Sequence, residues 1–118
     1  MSFTEVLRDI TEDVKGAKGA AVVGMDGIIV EEYSRTEGID LQSVGAEYGN
    51  ILKEVQNAST MLQLGSTREV AIMTEASDLI IRKINDDYFL ALVLSHEGNF
   101  GKGRFMARRA VGRLEKEF

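Results

Sequence analysis

The segment Tyr88–Ser95 leaves this chain few ways to fold. Tyr88, Leu90, Leu92 and Leu94 alternate onto one face, and Phe89, Ala91 and Val93 onto the other. A strand apolar on both sides has to be covered on both, so it takes the middle of a sheet with helices above and below. Two hairpins then flank it. Ala20–Gly24 and Ile28–Tyr33 surround Asp26-Gly27, the dipeptide favoured in a tight two-residue turn. Arg68–Thr74 and Leu79–Ile84 are joined by Glu75-Ala76-Ser77-Asp78, and Asn85-Asp86-Asp87 leads on to the central strand. Both connections are too short for anything but hairpins. Attaching each hairpin to the middle strand predicts a five-stranded antiparallel sheet of order 2-1-5-4-3, with Ile28–Tyr33 at one edge and Arg68–Thr74 at the other.

Three stretches carry helical periodicity. Ser2-Phe3-Thr4-Glu5 has the spacing of a capping box, and Phe3, Val6, Leu7, Ile10 and Val14 continue as one apolar stripe to about residue 15. Gly16 and Gly19 mark the exit. From Gly38 to Leu64, apolar residues recur every three or four positions through Leu41, Val44, Tyr48, Ile51, Leu52, Val55, Ala58 and Leu62, and Gly65 stands as the stop. The last helix runs from about Phe100 to Phe118, with Phe105 and Met106 off its apolar side as a contact patch. The order is αββαβββα, an α+β fold with helices on both faces of the sheet. At 118 residues and 13.0 kDa, without proline, linker or repeat, it reads as a single domain over residues 1–118.

Charge and residue type narrow the chemistry. Fourteen basic against nineteen acidic side chains give a net charge of −5, the wrong sign for a general nucleic-acid binder. The charge is uneven: residues 101–118 carry +4, through Lys102, Arg104, Arg108, Arg109, Arg113 and Lys116 against Glu115 and Glu117. That helix is either a solvated face or a surface for something acidic. With no cysteine there is no thiol nucleophile, disulfide or Cys-bound zinc, and the absence fits a reducing cytoplasm. His96 beside Glu97 has no second histidine, serine or cysteine set near it by spacing. Gly98, Gly101 and Gly103 lack dinucleotide-binding spacing, and Glu31-Glu32 and Asp86-Asp87 do not form a calcium loop. No catalytic residue, metal ligand or cofactor site is predicted, and hence no enzyme. No apolar run approaches the roughly 20 residues of a membrane span, and Glu5, Arg8 and Asp9 interrupt any signal-like start.

One edge of the predicted sheet lacks protection. Ile28–Tyr33 carries Glu31 and Glu32, whereas Val70-Ala71-Ile72-Met73 has no charge, proline or glycine to discourage pairing. Two copies are therefore expected to join antiparallel through Glu69, Val70, Ala71, Ile72 and Met73. Gly45 and Gly49, one helical turn apart and flanked by Leu52, either admit a second backbone or seat the helix on its own sheet; they are included in the expected interface of residues 38–64.

The chain resembles the roadblock/dynein light chain superfamily in three stretches. These are Val14-Lys15-Gly16-Ala17-Lys18-Gly19-Ala20-Ala21-Val22-Val23-Gly24-Met25-Asp26-Gly27, the long second helix, and Asn99-Phe100-Gly101-Lys102-Gly103-Arg104-Phe105. The first is similar to the bacterial branch typified by mutual gliding protein B. The resemblance implies a homodimer with a sheet continuous across the third strands and paired second helices. It also implies a Ras-like GTPase partner, bound or activated without a supplied arginine finger. By the same analogy the GTPase-facing surface takes in Lys53, Glu54, Asn57, Thr60 and Met61. Two other readings are a PAS- or GAF-like small-molecule sensor, which needs a cavity under a helix, and a structural heterodimer subunit of a signalling or motor complex.

Overall fold

In the computed structural model, which describes residues 2–35 and 39–118, β5 (Tyr88–Ser95) runs through the middle of the sheet, as its two apolar faces require. On one side it pairs with β1 (Ala17–Gly24), which pairs with β2 (Ile29–Ser34); on the other it pairs with β4 (Ser77–Lys83), which pairs with β3 (Glu69–Met73). All pairings are antiparallel, and the order is β2-β1-β5-β4-β3. Helices α1 (Phe3–Asp13) and α3 (Phe100–Glu115) lie on one face, and α2 (Leu41–Met61) covers the other.

The alternation along β5 divides the core in two. Leu90, Leu92 and Leu94 pack with Val6, Leu7 and Ile10 of α1 and with Ala107, Ala110 and Leu114 of α3. Phe89, Ala91 and Val93 pack with Ala21 and Val23 of β1 and with Leu41 and Leu52 of α2. Phe118 closes the first layer, its ring centroid 4.4 Å from Tyr88 and 5.1 Å from Phe3.

Boundaries shift where backbone geometry outweighs side-chain pattern. The Gly24 N–H donates to the Ile28 carbonyl, so the first hairpin loop is the three residues Met25-Asp26-Gly27 rather than a two-residue turn. Gly27 takes φ +87 there, the left-handed position of a three-residue loop. β1 begins at Ala17, which places Gly19 inside the strand. β4 begins at Ser77, two residues earlier than its apolar run, because the Thr74 N–H donates to the Ser77 carbonyl and tightens the turn. α2 is shorter than its periodic pattern, and Gly38 lies outside the described residues. Its stop is Gln63, not Gly65. Gln63 adopts φ +59, its N–H donates to the Thr60 carbonyl, and the Leu64 N–H donates to the Ser59 carbonyl, the hydrogen bonds of a Schellman cap.

A second glycine is required where the α1–β1 and β5–α3 connections cross. Gly16, at φ +86 between α1 and β1, crosses Gly98, which lies between β5 and α3. The Ser95 N–H donates to the Gly16 carbonyl, and the Asn99 N–H donates to the Lys15 carbonyl. Two of the stretches that carry the family resemblance are thus one backbone crossing.

Asp40 starts α2. The Ser43 N–H donates to its Oδ1 at 3.0 Å, and the Ser43 hydroxyl donates to its Oδ2 at 2.6 Å. These bonds, the hydroxyl one foremost, hold the carboxyl below the ordinary aspartate value. A depressed folded value means the cap's ionic contribution is full above the unfolded value and is lost as the pH falls through the folded one. Asp40→Asn keeps an acceptor but does not titrate. Wild type is expected to melt higher than this variant at neutral pH, with the gap closing on acidification through that range; a gap independent of pH would contradict the assignment.

Candidate functional site: an open strand edge beside the long helix

Among the described residues, β3 has a neighbouring strand on one side only. The Thr74 N–H donates to the Ser77 carbonyl and the Lys83 N–H donates to the Arg68 carbonyl, so 74/77 and 68/83 are hydrogen-bonded pairs. Antiparallel ladders alternate, so Val70 and Ile72 bond to Ile81 and Leu79 of β4. The N–H and C=O groups of Glu69, Ala71 and Met73 therefore point away from the sheet, along its free edge. The side chains follow the pleat. Val70 and Ile72 lie half-buried on the α2 face, while Ala71 is exposed on the α3 face and Met73 is 67% exposed.

α2 presents three different surfaces. Leu41, Gly45, Gly49 and Leu52 face down. A Cβ on Gly45 would lie 3.0 Å from the Val23 side chain, and one on Gly49 would lie 3.6 Å from both the Gly27 backbone and the Phe89 ring. The glycines let the helix settle close onto β1 and the first hairpin loop. Gly45, Gly49 and Leu52 are buried within the protomer, on the line of the helix that faces the sheet.

One flank of α2 carries Val44, Tyr48, Ile51, Val55 and Leu62, separated by three, four or seven residues. Val44, Tyr48 and Val55 are half-buried, Ile51 is 41% exposed and Leu62 68%. Sequence periodicity merges this flank with the buried face. The glycines in register with Leu41 and Leu52 are the signal that separates them, since they mark which line of the helix touches the sheet.

The expected GTPase-facing residues Lys53, Glu54, Asn57, Thr60 and Met61 are spread over the rest of α2, all of them exposed. Lys53, Asn57 and Thr60 fall along the flank opposite the apolar one, with Glu54 and Met61 pointing outward. Lys53 and Asn57 border a surface cleft of about 370 Å³ with Met25, Gln56, Lys83 and Asp86. Lys83 Nζ lies 2.9 Å from Asp86 Oδ1. His96 and Glu97 are exposed beyond β5, and the Glu97 N–H donates to the Ser95 hydroxyl. What this surface offers is hydrogen-bonding backbone, apolar side chains and charge, the means of recognition between proteins. Among the described residues, no helix is long and apolar enough to cross a membrane.

A family model described as the Roadblock/LC7 domain matches residues 3–94. Among solved structures, MglC from Myxococcus xanthus is 36% identical, with each chain covering 100% of the other and a TM-score of 0.73. The gliding protein MglB from Thermus thermophilus is 18% identical, with 97% of this chain and 86% of that one covered and a TM-score of 0.86. A Roadblock/LC7 domain from Streptomyces avermitilis is 12% identical over 96% of this chain and 94% of that one, also at 0.86. At these lower identities the likeness is one of fold. A sequence search of curated proteins returns no match.

Proposed function

The chain belongs to the Roadblock/LC7 domain family, and from that premise we propose that it acts as a non-catalytic, homodimeric regulator of a small Ras-like GTPase in the cytoplasm. The observation that carries the reading is the free β3 edge. The backbone groups of Glu69, Ala71 and Met73 need partners, and the uncharged run Val70-Ala71-Ile72-Met73 does nothing to repel one. A second copy supplies them by antiparallel pairing of β3 with β3. Its α2 then comes alongside the first, and the apolar flank from Val44 to Leu62 is covered from both sides.

The paired helices make a symmetric platform. Lys53, Glu54, Asn57, Thr60 and Met61 stand outside the paired flank and remain free to meet a third protein. A partner of this kind accelerates GTP hydrolysis without contributing a reacting group. The barrier to phosphoryl transfer falls mainly through positioning and charge stabilisation, so a protein that binds the competent arrangement of the GTPase more tightly raises its population.

The test uses small Ras-like GTPases of the same genome, loaded with GDP or with a non-hydrolysable GTP analogue. Preference for the triphosphate form by about tenfold or more is expected. The double variant Lys53→Glu, Asn57→Lys should weaken that binding by about tenfold while the assembled mass stays unchanged. Absent or nucleotide-blind binding would refute the regulatory reading.

A further inference from the structure

Glu69 starts β3 with its side chain directed to the α3 face, where it is only 12% exposed. Its Oε1 accepts from Arg82 Nη1 at 3.0 Å, and its Oε2 accepts from Arg104 Nε at 2.7 Å and Nη2 at 2.6 Å. One carboxylate thus holds two guanidinium groups side by side and is fully occupied in doing so. Arg68 and Arg108 stand next to them, exposed and held by no carboxylate among the described residues. The four arginines and Glu69 line a groove of about 770 Å³ between the end of α2 and α3. The groove therefore has a surplus of positive charge in a chain that is acidic as a whole.

Its borders are not purely polar. Leu64, on the groove wall, is 74% exposed, and Phe105, one turn from Arg108 on α3, is 56% exposed. The Arg109 guanidinium lies 5.9 Å from the centre of the Phe105 ring, which holds the aromatic face beside the basic one. Guanidinium groups in fixed orientation suit carboxylates, each binding two oxygens at once. Apolar side chains on and beside the wall call for apolar side chains among those carboxylates.

We propose that this groove is a docking site for an acidic polypeptide segment of a partner protein, with carboxylates on Arg68, Arg104 and Arg108 and an apolar residue against Phe105 or Leu64. A lipid surface fits less well. Arg82 is recessed, with a side chain 17% exposed, where a flat headgroup layer does not reach, and Phe105 is the one large apolar side chain on the outer face of α3 among the described residues. The inference rests neither on pairing of copies nor on a GTPase.

The probe is a fluorescein-labelled Glu-Leu-Glu-Glu repeat peptide, compared with the same repeat carrying Gln for Glu, in fluorescence anisotropy with the full chain. The Glu peptide is expected to bind, and to bind less as salt rises toward about 0.15 M. Arg108→Glu should weaken it about tenfold, and Phe105→Ala about threefold with the salt dependence unchanged. Sedimentation of each variant checks that the assembled mass is that of wild type, so loss of binding is separable from loss of pairing. Equal binding of the Gln peptide, no effect of Arg108→Glu, or no binding of the Glu peptide would overturn the proposal. So would retention on phosphatidylserine–phosphatidylcholine vesicles without peptide binding.

Discussion

Ala71→Pro is expected to abolish self-association while leaving the protomer folded. The N–H of Ala71 points out of the sheet, so proline removes a donor that β4 does not use. Proline is tolerated at such edge positions for that reason. Each lost backbone bond is worth roughly 0.5–1.5 kcal/mol, and a symmetric pairing loses the bond from both copies together with the close fit around it. A weakening of roughly 2–3 kcal/mol, about 30- to 150-fold in Kd, should leave a monomer in the micromolar range. Ile72→Pro is the contrast. The Ile72 N–H bonds to Leu79, so that variant should lose stability as well as assembly. Sedimentation velocity over a dilution series, with melting curves for both variants, reads the difference. An Ala71→Pro protein of unchanged mass would end the dimer model and the platform built on it.

The second large effect is on folding. Gly16→Ala is expected to destabilise the chain by roughly 2–4 kcal/mol, combining a left-handed alanine with a backbone displacement. The added Cβ would lie 2.5 Å from the Cα of Gly98, and backbone cannot turn aside as a side chain can. For a chain of this size that corresponds to a fall in Tm of about 10–20 °C. Gly65→Ala separates the two causes. Gly65 has a similar φ of +92 but nothing within 4 Å of the added Cβ, so it should cost only the conformational part, about 1 kcal/mol. Thermal unfolding followed by circular dichroism compares them directly. Equal losses would mean that the Gly16–Gly98 crossing contributes nothing.

How much of this was legible in the sequence depends on which kind of signal was available. The sheet order followed from β5, because alternation along a strand is a local pattern with a global consequence. The unguarded edge followed in turn, since it depends on residue types in one short run. The direction of each backbone group on that edge did not. It is set by the hydrogen bonds at Thr74–Ser77 and Arg68–Lys83, whose phase no side-chain pattern records. The three-residue loop at Met25–Gly27 and the cap at Gln63 were hidden for a related reason. Asp26-Gly27 serves more than one hairpin length, and a left-handed glutamine is sustained by the carbonyls of Ser59 and Thr60 rather than by its own preference. On α2, periodicity found the apolar residues but not the division between those on the sheet and those beside it. The Glu69 clamp joins residues on β3, β4 and α3, so only the folded chain brings it together.

At the opposite border of the sheet, β1 and β2 lose register between Val22 and Val23, which pair with Glu31 and Ile29 and leave Val30 as an extra residue. With Glu31 and Glu32 following, that border is both bent and negatively charged. A molecule with one receptive side and one blunted side can join only head to head, and after the first union no receptive side is left. The proposed assembly through the sheet would therefore be self-limiting: a closed pair with no receptive side left, and not a filament.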